Sequence, residues 1–208
     1  MDKKLIEEIV GKVIQNLKNT KGTIPVEASG RHIHLSKEDA ITLFGTTQLT
    51  IQRELSQPGQ YLYKEKAMLM GPKGILKDVA ILGPCRGKTQ VELSITDARS
   101  IGVKPVVKDS GDLNGASDII IAANGKVVEG HGTTIIARRH LHMRPEDALT
   151  FEVSDGEIVA VRVYGSRQTV FEEVLVRVSP SYSLSLHLDY DEANAVGLLK
   201  DSRGEIVK

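Results

Sequence analysis

Two stretches of this chain repeat one another. Arg31, His32, Ile33, His34 and Leu35 lead to Glu38, Asp39 and Ala40, and Arg139, His140, Leu141, His142 and Met143 lead to Glu146, Asp147 and Ala148, each residue 108 positions after its counterpart. A repeat at constant offset constrains the fold before any element is assigned, because two copies of one unit imply two related halves. A weaker match aligns Glu92, Asp97, Ala98, Ile101 and Gly102 with His187, Glu192, Ala193, Val196 and Gly197 at an offset of 95, placing Glu92 opposite His187. A chain of 208 residues is long enough for two small units, each with its own core.

From Val26 onward the segments are short, rich in Val and Ile and punctuated by Gly and Pro, as in IIIAA, KVVEG, TTIIA, EIVAVRVYG and VLVRVS. Such a pattern predicts a mainly β chain arranged as barrels or sandwiches. Short helices are expected from Lys37 to Phe44, before Gly45, and from Pro145 to Leu149, where proline suits a first turn. The repeat divides this part into halves at 26–115 and 116–208. Residues 1–18 stand apart: Leu5, Ile6, Ile9, Val10, Val13, Ile14 and Leu17 form the apolar stripe of an amphipathic helix. Residues 19–25, with Gly22 and Pro25, read as a linker.

The 27 basic and 27 acidic residues cancel, and no block of like charge suggests a nucleic-acid arm or a membrane-binding patch. No apolar run approaches the roughly 18 residues that span a bilayer. The single cysteine, Cys85, excludes an internal disulfide and a thiolate cluster, fits a reducing cytoplasm, and leaves His, Asp and Glu as metal ligands. Residues two apart in a strand share a face, so each His-x-His pair aims two imidazoles at one point. Glu92 in QVELSI and His187 in LSLHLD alternate with apolar residues, which puts both on polar strand faces. The expected ligand sets are His32, His34 and Glu92 for one metal, and His140, His142 and His187 for the other. Three ligands leave a coordination position open, and that is the mark of a catalytic site. Histidine and carboxylate do not by themselves select zinc.

Other polar residues receive plainer readings. His131, in GHG, reads as a loop histidine. Glu38, Asp39, Glu146 and Asp147 fall in first helical turns, where carboxylates complement the helix dipole. Cys85 reads as an inert small hydrophobe, since no neighbouring histidine activates it. Arg86 lies in LGPCRGKTQVE, where Gly83, Pro84 and Gly87 mark a tight loop just before the strand of Glu92. Its planar fork of donors suits phosphate, which makes it the candidate catalytic residue.

With these residues assembled, VEASGRHIHLSKEDA, LGPCRGKTQVELSITDAR, IIARRHLHMRPEDA and SLHLDYDEANA resemble the PduL-type phosphate propanoyltransferases of bacterial microcompartments, over essentially the whole chain. The resemblance implies two β-barrels with short helical caps, the initial strand near 26–30 joining the later barrel. It also implies a pair of zinc ions, coenzyme A as substrate or product, self-association, and a phosphate contact from Arg86. The expected activity is phosphotransacylation between acyl-CoA plus phosphate and acyl phosphate plus CoA, with propanoyl as the acyl group. Residues 1–18 look like an encapsulation peptide, which implies docking to shell or core proteins and residence in a microcompartment of the bacterial cytoplasm. A two-metal hydrolase and a noncatalytic microcompartment-associated metal protein are the rival readings.

Overall fold

Alternation in the two histidine segments decides which way each strand faces. Ile33, Leu35, Leu141 and Met143 point into apolar interiors and are at most 1% exposed, so the histidines between them point outward. The computed structural model describes residues 22–207. The amphipathic helix expected over 1–18 lies outside the described residues, as does most of the linker.

Among the described residues the chain runs β1 (Ile24–Ser29), β2 (His32–Ser36), α1 (Lys37–Phe44), β3 (Ile51–Glu54), β4 (Tyr61–Gly71), β5 (Gly74–Arg86), β6 (Gln90–Glu92), α2 (Ile95–Ile101) and β7 (Val106–Lys108). It continues through β8 (Ser117–Ala123), β9 (Lys126–Ala137), β10 (His140–Met143), α3 (Pro145–Phe151), β11 (Ile158–Tyr164), β12 (Thr169–Val178), β13 (Ser185–Asp189), α4 (Tyr190–Val196) and β14 (Arg203–Val207). Strands β4, β5, β2, β6, β9 and β8 pair in that order and close back on β4. Strands β3 and β7 pair from outside with β4 and β9. The second ring runs β1, β13, β10, β12, β11 and β14 and closes on β1. The fold is therefore two six-stranded barrels, and closure leaves few unpaired strand edges.

The repeat extends to strand pairing. In the first barrel β2 lies parallel to β5 and antiparallel to β6; in the second, β10 lies parallel to β12 and antiparallel to β13. Glu27 of β1 sits beside His187, as Ile135 of β9 sits beside Glu92, and Glu27 and Ile135 obey the same 108-residue offset. Strand β1 thus belongs to the second barrel and β9 to the first, while the strands that follow them, β2 and β10, belong to the opposite barrels. The sheets do not divide at 115/116: β8 and β9 complete the first barrel, and strand structure begins at Ile24, inside the stretch read as linker. Two chain crossings tie the barrels together, and each delivers one histidine strand.

Each barrel has its own core. Ile33, Leu69, Ile81, Val91, Ile121 and their neighbours fill the first, and Ile24, Leu141, Val161, Val176 and Leu186 fill the second. Burying each such side chain is worth roughly 1.5–3 kcal/mol. Ser36 caps α1 by accepting from the Asp39 N–H at 3.0 Å, and Gly45 ends the helix in the left-handed conformation. Helix α3 runs two residues past Leu149. Helices α2 and α4, which the strand-like sequence pattern did not announce, follow the strands of Glu92 and His187 and end at Gly102 and Gly197. A Cβ on Gly71 would meet the Ile101 carbonyl oxygen at 2.3 Å, and one on Gly165 would meet that of Val196 at 2.3 Å, so glycine is required where each helix end packs on its barrel. No helix of the described residues is long and apolar enough to cross a membrane.

Candidate active site

Because the barrel interiors take the intervening apolar residues, both histidine strands present their polar faces to the cleft between barrels. Antiparallel pairing sets His32 opposite Glu92 and His140 opposite His187. The potential ligand atoms of His32, His34 and Glu92 lie within 4.8 Å of one another, as do those of His140, His142 and His187. All six residues expected from the sequence thus form the two expected triads. The histidine rings are close, with centroids 4.9 Å apart for His32 and His34, and 4.7 Å for His140 and His142.

The hydrogen bonds of the two triads match as well. Nδ1 of His32 lies 2.8 Å from the Gly30 carbonyl, and Nδ1 of His140 lies 2.8 Å from the Arg138 carbonyl. With Nδ1–H donating to the backbone, the Nε2 lone pair of each ring is left for a ligand. Nδ1 of His34 and of His142 is buried without a hydrogen-bond partner. An orphaned buried polar atom costs about 1–3 kcal/mol, and the same orphan recurs in both halves. Two imidazoles with a carboxylate, or three imidazoles, make a donor set that fits zinc or a related first-row metal.

Burial, together with the neighbouring imidazoles and Arg177, pushes His142 down to about 2 and His187 to about 3. Burial also lowers His140, and burial with His32 and Arg86 nearby holds His34 well below the usual histidine range. Each of these shifts favours the neutral imidazole, the form that can ligate. Burial works against ionisation of Glu92, but His32, His34 and the Ser110 hydroxyl overcome it and bring the carboxyl down to about 2. Ser110 Oγ donates to Glu92 Oε1 at 2.7 Å, Gln90 Nε2 donates to the same oxygen at 2.6 Å, and His32 Nε2 lies 3.5 Å from Oε2.

The second triad is held partly from the first barrel. Gln57, in the turn after β3, donates through Nε2 to the Ser183 carbonyl at 2.9 Å and to Ser185 Oγ at 2.8 Å, and accepts from the Ser183 N–H at 3.0 Å. Ser185 Oγ in turn lies 2.9 Å from His187 Nε2. Replacing Gln57 by alanine strands three polar groups at the barrel interface. The expected cost is about 2 kcal/mol of folding stability, read as a lower denaturation midpoint, with Gln57→Glu unable to restore both donated bonds.

Both triads open into one cavity of about 1110 Å³ between the barrels, lined also by Arg53, Gln57, Arg86, Ser110, Arg177, Tyr182 and Lys200. Arg86 ends β5; the strand runs through Gly83 and Pro84 instead of breaking into the loop expected there, because a shift of register between β2 and β5 tolerates the missing proline N–H. Its Nη1 is 3.5 Å from Ser110 Oγ. Cys85, just before it, is absent from the cavity wall, and burial raises its thiol. His131 lies in β9, not in a loop, and is an exposed residue beside Asp118 and Glu129. Asp147 accepts from the Arg144 N–H at 3.0 Å at the start of α3, whereas Asp39 accepts from the side chain of Thr89, outside its own helix. Gln57, Ser110, Arg177 and Tyr182 were not singled out by sequence. Only the alternation of VLVRV, which exposes Arg177, carried any signal.

The sequence profile of the family described as phosphate propanoyltransferase matches residues 25–199. A protein of Sebaldella termitidis named phosphate propanoyltransferase is 50% identical over 210 residues, covering 100% of both chains. One of Alkaliphilus metalliredigens with the same name is 48% identical over 212 residues, again covering 100% of both. A third, from Thermotoga maritima, is 50% identical over 192 residues, covering 91% of this chain and 90% of its own. With a profile spanning both barrels and relatives matched end to end, this chain belongs to the phosphate propanoyltransferase family of acyltransferases.

Proposed function

We propose that this chain interconverts propanoyl-CoA plus phosphate and propanoyl phosphate plus CoA, in the cavity between its barrels. The observation that carries the reading is the convergence of two three-ligand triads and Arg86 on one cavity, in a chain of this family. His32, His34 and Glu92 would hold one zinc ion and His140, His142 and His187 another. Bound there, zinc supplies Lewis acidity and a fixed positive charge for oxyanions.

The chain's own residues do the rest. Arg86 binds a phosphate through paired N–H donors and turns one of its oxygens toward the thioester carbonyl carbon. That oxygen forms a new C–O bond, the carbonyl oxygen gains negative charge, and the guanidinium offsets the charge as it grows. The carbonyl re-forms as the C–S bond breaks and the electron pair leaves with the CoA thiolate, which takes up a proton from solvent. No enzyme nucleophile is needed, and the raised Cys85 thiol, away from the cavity wall, is unsuited to be one.

Hydroxylamine trapping tests this reading, since acyl phosphate gives a hydroxamate. Hydroxamate that forms from propanoyl-CoA faster with enzyme and phosphate than by direct reaction of the thioester with hydroxylamine supports it. Acid and free thiol released at the same rate without phosphate would mean a hydrolase instead. The apolar stripe of residues 1–18 supports docking inside a bacterial microcompartment. A fluorescent reporter carrying residues 1–18 should concentrate in the compartments, and a diffuse reporter would contradict this.

A further inference from the structure

We propose that Arg177 is the second arginine of the anion site, binding from the second barrel the same phosphate group that Arg86 meets from the first. The assignment rests on the phosphotransacylase reading above and adds a residue that the reading does not use. Strand β12 runs parallel to β10 with Arg177 beside His142, and its neighbour Val176 is fully buried in the barrel. Arg177 therefore projects outward, onto the face that carries His140 and His142, and lines the cavity together with Arg86.

The repeat isolates this residue. The position beside His34 in the first barrel, equivalent to that of Arg177 beside His142, is Leu82. A barrel of this kind accepts an apolar residue there, so the fold itself does not ask for a guanidinium. Among the described residues Arg177 makes no side-chain hydrogen bond and no ion pair; its guanidinium carbon lies 6.0 Å from the centre of the Tyr182 ring. That ring stacks on His142 with centroids 4.2 Å apart and planes 30° apart, so one aromatic surface steadies both the ligand and the arginine.

The carboxylates on the cavity wall, Glu92 and Glu27, form no ion pair with Arg177. Glu92 accepts from Ser110 and Gln90, and Glu27 accepts from Ser56 at 2.6 Å. Two half-buried arginines without carboxylate partners, in one cavity, make a site for a small, highly charged anion. The anion is the reacting phosphate and not a phosphate of CoA, because Arg177 stands beside His142 of a triad, while the phosphates of CoA are separated from the thioester by the pantetheine arm. One arginine from each barrel then clamps the phosphate, and the crossed strands fix the span of the clamp.

The test uses the full chain with inorganic phosphate as probe. Calorimetric phosphate binding without acyl-CoA, and the phosphate and propanoyl-CoA KM values, are measured for wild type, Arg177→Gln and Arg177→Lys, with metal content by elemental analysis. The expected result is a phosphate Kd and KM raised on the order of 10- to 100-fold in Arg177→Gln. Arg177→Lys, which keeps the charge and folds if the glutamine variant does not, should fall between. Metal content and the propanoyl-CoA KM should be unchanged. Unaltered phosphate affinity overturns the proposal, as does a rise in the propanoyl-CoA KM alone, which places the contact on CoA, or loss of metal, which makes the residue a support for His142. If wild type binds phosphate but transfers no acyl group, the phosphotransacylase reading fails, while the Kd comparison still decides the role of Arg177.

Discussion

His187→Ala is expected to leave a folded protein that has lost one of two metal equivalents and transacylase activity by on the order of 1000-fold or more. The imidazole lies on the outer face of the second barrel, its side chain 18% exposed, while Leu186 and Leu188 on either side of it fill the core. Truncation therefore removes a ligand without opening a cavity. The ring is neutral in the folded protein, depressed to about 3, so no buried ion pair is broken. Ser185 keeps its bond from Gln57. His140→Ala should behave alike, whereas His131→Ala, in an exposed side chain outside both triads, should alter neither metal nor rate. Elemental analysis beside the thiol-release rate separates the cases. A His187→Ala protein that kept both metals and its rate would show that the triads are not the reacting centre.

Arg86→Gln is expected to keep both metals and to lose phosphate-dependent activity by about 100- to 1000-fold in kcat/KM for phosphate. The side chain has no carboxylate partner among its hydrogen bonds; it is held near Ser110, at the end of β5, facing the cavity. Burial lowers its ionisation first, Arg177 lowers it further, and Glu92 pulls the other way, yet a guanidinium stays charged at any physiological pH. Removing the donors should therefore cost phosphate capture and stabilisation of the developing oxyanion. Arg86→Lys should recover part of the binding through its point charge but not the paired geometry. Steady-state kinetics with phosphate varied at saturating propanoyl-CoA gives the answer. An unchanged phosphate KM and kcat would remove Arg86 from the mechanism.

The two candidate ligand triads were legible in the sequence because strand alternation is local. His32 and His34, like His140 and His142, must share a face in any strand, and the 108-residue offset marked them as two versions of one device. Glu92 and His187 were found by the fainter 95-residue offset, since they occupy equivalent antiparallel strands. Which barrel each strand joins was not legible from spacing. The pairing of β1 with β13 spans more than 150 residues and depends on barrel closure, leaving no periodic trace. Gln57 stayed hidden for the same reason: it lies in an ordinary Ser-Gln-Pro-Gly turn, and its partners are 126 and 128 residues away. Helices α2 and α4 are too short for a periodic pattern and are defined mainly by Ser94 and Asp189 at their starts and by glycines at their ends.

The most direct measurement of the central claim is thiol release from propanoyl-CoA by one preparation in three states: as purified, stripped of metal, and reloaded with zinc, each with and without phosphate. Release that requires both phosphate and metal, and returns on reloading, is the predicted result. Release that persists without phosphate, or in the stripped protein, would contradict phosphate-dependent acyl transfer at the two triads.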